Sequence, residues 1–83
     1  MILHVFNRPE AFAREQRFIA AGDTAILIED GVYTEPVPGL DMVYLEPDVT
    51  ARGLGGRRTA QRLVGYDGFV ALCAAADKVV TWN

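Results

Sequence analysis

From Thr24 to Ile28 the chain reads Thr-Ala-Ile-Leu-Ile, an apolar run of strand length with no charged side chain inside it. An unbroken run suits a β-strand covered on both faces, whereas alternation suits a strand with one face in water. Met1 to Phe6, broken only by His4, and Met42 to Leu45 have the same character. A chain built on such strands must place helices on both sides of a parallel sheet, or lend a bare side to another protein.

The segments between these runs carry helix signals. Asn7 is placed to cap a helix, Pro9 suits its first turn and Glu10 complements the helix dipole. A helix from about Pro9 to Ala21 is predicted, with Phe12 and Ile19 on one face, Ala11 and Phe18 beside it, and Gly22 as its stop. Glu29-Asp30-Gly31 ends the second strand. Tyr33 to Asp41, which holds Pro36, Pro38 and Gly39, reads as a loop. Pro47 to Arg52 supplies one or two helical turns, closed by Gly53. Leu54 to Arg58 is a loop, and Gln61 to Val64 a weak fourth strand. A second full helix is expected from Asp67, its cap, to Ala76. Phe69, Leu72, Cys73 and Ala76 follow the spacing of a core face. Lys78 to Trp82 is the last strand.

This alternation predicts an α/β fold, a single domain over residues 1–83, with a mainly parallel sheet of about five strands flanked by helices. Two good helices and one short one are thin cover for five strands. The link from Glu29 to Asp41 barely supplies the dozen or so residues that a parallel crossover needs. Size points the same way. A domain of 83 residues buries only about 60% of its unfolded surface. Yet 51% of its residues are hydrophobic, so part of that surface is expected to face a partner.

Several chemistries are excluded by counting. No serine occurs, so a Ser-His-Asp hydrolase is impossible. One histidine and one cysteine cannot furnish a four-ligand structural zinc site. Neither GxGxxG nor GxxxxGK[ST] is present. No cofactor is implied. A single cysteine allows no internal disulfide, and the first residues form neither a signal peptide nor a membrane span, so a cytoplasmic protein is expected. The net charge of −3 argues against a stand-alone nucleic-acid binder.

Four candidate groups remain. Cys73 is the only thiol. On the apolar face of a helix it reads as a small buried hydrophobe, the other reading being a persulfide carrier. His4 reads as a core or rim histidine. Glu29-Asp30 follows the carboxyl end of a parallel strand, where ligands bind, but adjacent side chains diverge and Asp30-Gly31 is a turn signal. Arg52, Arg57, Arg58 and Arg62, interleaved with glycines, could meet an anion or RNA backbone, or form a solvated loop.

The blocks Leu27-Ile-Glu-Asp-Gly-Val-Tyr33, Val43 to Leu54 (through Asp-Val-Thr-Ala-Arg-Gly-Leu), Leu63 to Leu72 and Lys78-Val-Val-Thr-Trp82 resemble the TusB/DsrH family. Leu3-His-Val-Phe-Asn-Arg-Pro9 fits as well. The resemblance implies a DsrEFH-like fold with flavodoxin-like layering. It also implies a small subunit of a TusBCD- or DsrEFH-type heterohexamer, with TusC/DsrF-like and TusD/DsrE-like partners. Such complexes relay persulfide sulfur, toward 2-thiouridine at the tRNA wobble position in one branch and in sulfur oxidation in the other. In both, the principal sulfur-accepting cysteine belongs to another subunit. Contact with tRNA would be indirect. Some relatives have a cysteine on the first helix; this chain has Glu15, Gln16 and Arg17 there. The resemblance therefore implies a docking subunit without catalysis of its own. Tyr33, Tyr44, Tyr66, Phe69 and Trp82 are its candidate structural or interface anchors, because large aromatics dominate such contacts.

Overall fold

Parallel pairing joins all the strand-length runs. The computed structural model describes residues 1–83 and contains five strands: β1 (Ile2–Phe6), β2 (Thr24–Leu27), β3 (Asp41–Leu45), β4 (Arg62–Val64) and β5 (Lys78–Trp82). They form one sheet in the order β4-β3-β2-β1-β5, parallel throughout. The α-helices are α1 (Pro9–Glu15), α2 (Glu46–Ala51) and α3 (Tyr66–Ala75). The expected α/β architecture and strand set are those observed.

Register sorts the side chains into two faces. Trp82, Phe6, Leu27, Tyr44 and Leu63 lie side by side across the sheet on one face. Thr81, Val5, Ile26, Val43 and Arg62 lie across the other. The first face carries the larger core: Phe6, Ala25, Leu27, Met42 and Tyr44 from the sheet, Ala11 and Phe12 from α1, and Val49 from α2. On the second face only Leu3, Val5, Ile26 and Val43 form a buried cluster, and the one helix packed on it is α3. Chirality explains the division. The connections from β1 to β4 all step one way across the sheet, and the last returns from β4 to β5 at the opposite edge. Right-handed crossovers put connections of opposite direction on opposite faces.

Several local expectations are corrected. The first helix stops at Glu15 and continues only as a 3-10 turn, Gln16–Phe18. Beyond it Asp23 closes a separate turn: its carboxylate accepts the Ala20 N–H at 3.1 Å, and its own N–H donates to the Ala20 carbonyl. Gly22, at φ +89°, makes this turn possible. Asn7 does not cap α1. Arg8 occupies that position without a side-chain cap, and Asn7 Nδ2 donates instead to Asn83 Oδ1. Asp67 is likewise inside the first turn of α3, with Gly65 at the cap.

The thin link between β2 and β3 contains no crossover α-helix. Glu29–Tyr33 forms a 3-10 turn, and the remainder folds down onto the sheet. Val32 is fully buried in the larger core, with Val37 and Leu40 packed at its margin. Gly31 permits the approach, since a Cβ there would collide with the Phe6 carbonyl oxygen. This link therefore covers sheet that a helix would otherwise have to cover.

Candidate docking surface

The helix α3 is apolar nearly all round. From Gly68 to Ala76 it has no charged residue, and Asp67 is its only charge. Phe69, Leu72, Cys73 and Ala76 pack on the second face of the sheet. Gly68 sits against Val64, where a Cβ would come within 2.8 Å of the Val64 Cβ. Yet no residue of α3 is buried. On its outer side Val70 is 68% exposed and Ala71, Ala74 and Ala75 are open as well, and Tyr66 in its first turn is 61% exposed. Val79 on the β5 edge adds exposed apolar surface on this same face, whereas the exposed Leu63 on the β4 edge belongs to the other face. A helix that is hydrophobic on every side belongs in a core. Here a single such helix crosses the second face alone, half seated on the sheet and half in solvent.

The five aromatic candidates separate. Tyr66 and Tyr33 are exposed, and Phe69 and Trp82 are half-buried. Tyr44 takes the structural role and not the interface one, which is corrected: it is fully buried in the larger core, and its hydroxyl donates to the Thr34 carbonyl at 2.8 Å. Burial pushes its phenol up to about 12. It anchors the fold and has no surface to offer a partner.

The arginines do not converge. Arg58, only 1% exposed, donates through Nε and Nη2 to the Val32 carbonyl and through Nη2 to the Thr34 carbonyl. Its guanidinium carbon stands 5.1 Å from the Tyr44 ring centre. This buried fork is another correction to the idea of an anion-binding loop, because it leaves Arg58 no donor facing a ligand. Arg52 pairs with Asp30 at 3.0 Å, and that bond raises its already high pKa. Arg57 pairs with Glu35. Arg62 alone among the four has no acidic partner.

Glu29 and Asp30 also diverge. Asp30 faces Arg52, while Glu29 adopts φ +49° and its N–H donates to Asp48 Oδ2. The carboxyl ends of β1 and β5 flank the point where strand order reverses, the usual ligand site of open α/β sheets. This chain's own side chains occupy it: Asn7 bonds Asn83, and Arg14 Nη2 donates to the Asn83 carbonyl at 2.6 Å. Cys73 lies on the inner side of α3, half-buried against the second-face cluster.

His4 is buried between two partners. Its Nε2 is 3.0 Å from Asp23 Oδ2, and Trp82 Nε1–H donates to its Nδ1 at 3.2 Å. Asp23 also accepts the Ile2 N–H at 3.0 Å. The bond from His4, followed by those from the Ile2 and Ala20 amides, holds the Asp23 carboxyl down at about 2.

The outer side of α3, with Val70, Ala71 and Ala74, was not among the sequence candidates. Its signal is the charge-free stretch from Gly68 to Ala76, which the core-face spacing alone does not explain. No helix of the chain is long and apolar enough to cross a membrane. A family model described as DsrH like protein matches residues 8–79. No curated protein matches the chain.

Proposed function

Because the chain belongs to the DsrH-like family, we propose that it is a non-catalytic docking subunit of a sulfur-relay complex. The observation that carries this reading is α3, an apolar helix with an open outer side on the thinly covered face of the sheet. A monomer would leave that side in water. Against a partner subunit, Val70, Tyr66 and the alanines would supply burial worth about 25 cal/mol per Å² of apolar surface removed. The small alanine side chains let a neighbouring helix or strand approach closely.

The partners in this reading are TusC/DsrF-like and TusD/DsrE-like subunits in a heterohexamer. The relay chemistry, attack of a thiolate on a persulfide sulfur with release of the donor thiolate, takes place on a partner's cysteine. The place of Cys73 on the inner side of α3 supports assigning it a packing role. The sulfur passes toward 2-thiouridine at the tRNA wobble position, with sulfur oxidation as the competing destination. Any tRNA contact is made by the assembled complex, and Arg62, at the start of β4, is the one of the four arginines with no acidic partner to compete for it.

Light scattering on the chain alone and co-expressed with the two partner subunits tests docking. A stable heteromer is expected, and Val70→Asp should abolish it while leaving the circular dichroism spectrum and melting temperature of the lone chain unchanged. A well-behaved monomer that ignores both partners overturns the reading. Deleting the gene and measuring 2-thiouridine in tRNA separates the destinations. Unchanged thiolation alongside lost sulfur oxidation would select the second.

A further inference from the structure

His4 and Trp82 are the only histidine and the only tryptophan of the chain, and they are bonded to each other. Their chemistry fixes the proton. An indole nitrogen is solely a donor, so His4 Nδ1 must accept, and the single imidazole proton sits on Nε2, pointing at Asp23. The result is a one-way chain of donors, Trp82 to His4 to Asp23, that ends on a carboxylate.

The chain of bonds links distant parts of the molecule. Trp82 is the last residue of β5, an edge strand, while His4 lies in β1 and Asp23 in the turn before β2. Phe18 stacks on the outer side of the indole at 5.5 Å and 12°, and the Arg17 guanidinium lies 4.9 Å over Phe18. Beyond the backbone ladder with β1 and this bond, side-chain hydrogen bonds tie the carboxyl end of β5 to neighbouring segments only through Asn83, and those bonds are exposed.

We propose that His4, Asp23 and Trp82 form a proton-sensitive latch on β5, closed when the imidazole is neutral and opened when Nδ1 takes a proton from solvent. Protonation leaves the bond to Asp23 intact and gains a charge attraction there. It places two N–H donors head-on at the other nitrogen, so the indole bond is lost. Trp82 then has to turn away, and Phe18 with it. Among the charged groups on the elements around His4, Asp23 is the one that bonds it and favours the proton there. Glu10, Arg14 and Glu15 on α1, Arg17 in the following turn and Lys78 on β5 make no bond to His4; Arg14 is engaged with Glu15, and Arg17 lies over Phe18. None of these residues belongs to the outer side of α3, so the latch stands apart from the docking surface.

The experiment follows the emission of Trp82 and its indole N–H resonance from about pH 8 to about pH 5, the span in which an imidazole changes charge. A single one-proton transition is expected, with the indole N–H slow to exchange at the upper end and fast at the lower. His4→Gln should abolish the transition. Trp82→Phe keeps an aromatic ring for Phe18 and removes the opposing donor, so its His4 should bind a proton roughly tenfold more tightly by imidazole NMR, the equivalent of one hydrogen bond. The latch is overturned by an indole signal indifferent to pH, by a transition that persists in His4→Gln, or by unchanged proton affinity in Trp82→Phe. Should His4→Gln fail to fold, the Trp82→Phe comparison decides by itself.

Discussion

Arg58 shows what a single side chain can hold in place. Its fork reaches the carbonyls of Val32 and Thr34, two acceptors in the link that covers the sheet between β2 and β3. No regular ladder serves those carbonyls, and a buried carbonyl without a donor is costly. The guanidinium also lies over Tyr44, whose hydroxyl shares the Thr34 carbonyl. Arg58→Ala should therefore cost roughly 2–4 kcal/mol, combining orphaned carbonyls with a cavity. Denaturant unfolding would show it; a loss below about 0.5 kcal/mol, typical of a surface site, would refute the structural role. Asp23 makes a second prediction. Its carboxyl is held at about 2, below the ordinary 3.8, so it favours the fold fully above the ordinary value. That contribution is lost as pH falls from about 4 through about 2. Asp23→Asn should be less stable than the parent near neutrality and lose less stability between pH 5 and about 2, as measured by urea midpoints.

At the scale of elements, a loop replaces a helix. The link from Ile28 to Leu40 is too short and too rich in proline to form a crossover α-helix, yet it buries Val32 and seats Val37 and Leu40 against the larger core. It fits because Gly31 lets the backbone pass against the end of β1. Gly31→Ala should destabilise by about 2–3 kcal/mol, since the obstacle is the Phe6 carbonyl and not a movable side chain. A thermal melt within a degree or two of the parent would contradict this. The opposite face has no such substitute. There α3 alone covers what α1, α2 and the link cover together on the first face. That imbalance is the structural basis for reading α3 as a docking helix.

For the molecule as a whole, the question is whether the thiol or the surface carries the function. Cys73 is half-buried on the side of α3 that packs on the sheet, with Phe69, Leu72 and Ala76. Native Cys73 should react with iodoacetamide at least about tenfold more slowly than in the unfolded chain, because the reacting thiolate needs access and a stabilising charge. Fast alkylation of the folded protein would revive a direct sulfur-carrying role. In the assembled complex α3 would be covered on its outer side too, so the alkylation should slow further.

The fold class was legible in the residues themselves. Unbroken apolar runs spaced by helix signals dictate a parallel sheet, because only strands covered on both faces tolerate them. The thin cover of that sheet could be counted from helix lengths. Its consequence, apolar surface left uncovered, follows from chain length and apolar content. The limits of local signals were equally physical. Asn7 and Asp67 have cap chemistry, but tertiary bonds and chain direction gave the caps to Arg8 and Gly65. Arg52, Arg57, Arg58 and Arg62 share a short stretch, but acids and carbonyls remote in sequence took up three of them. The bond from Trp82 to His4 spans 78 positions, and no spacing rule reaches that far. Periodicity reports what each segment must bury. Which partners meet is decided only when the strands take their order in the sheet, since adjacency there depends on crossovers and not on distance along the chain.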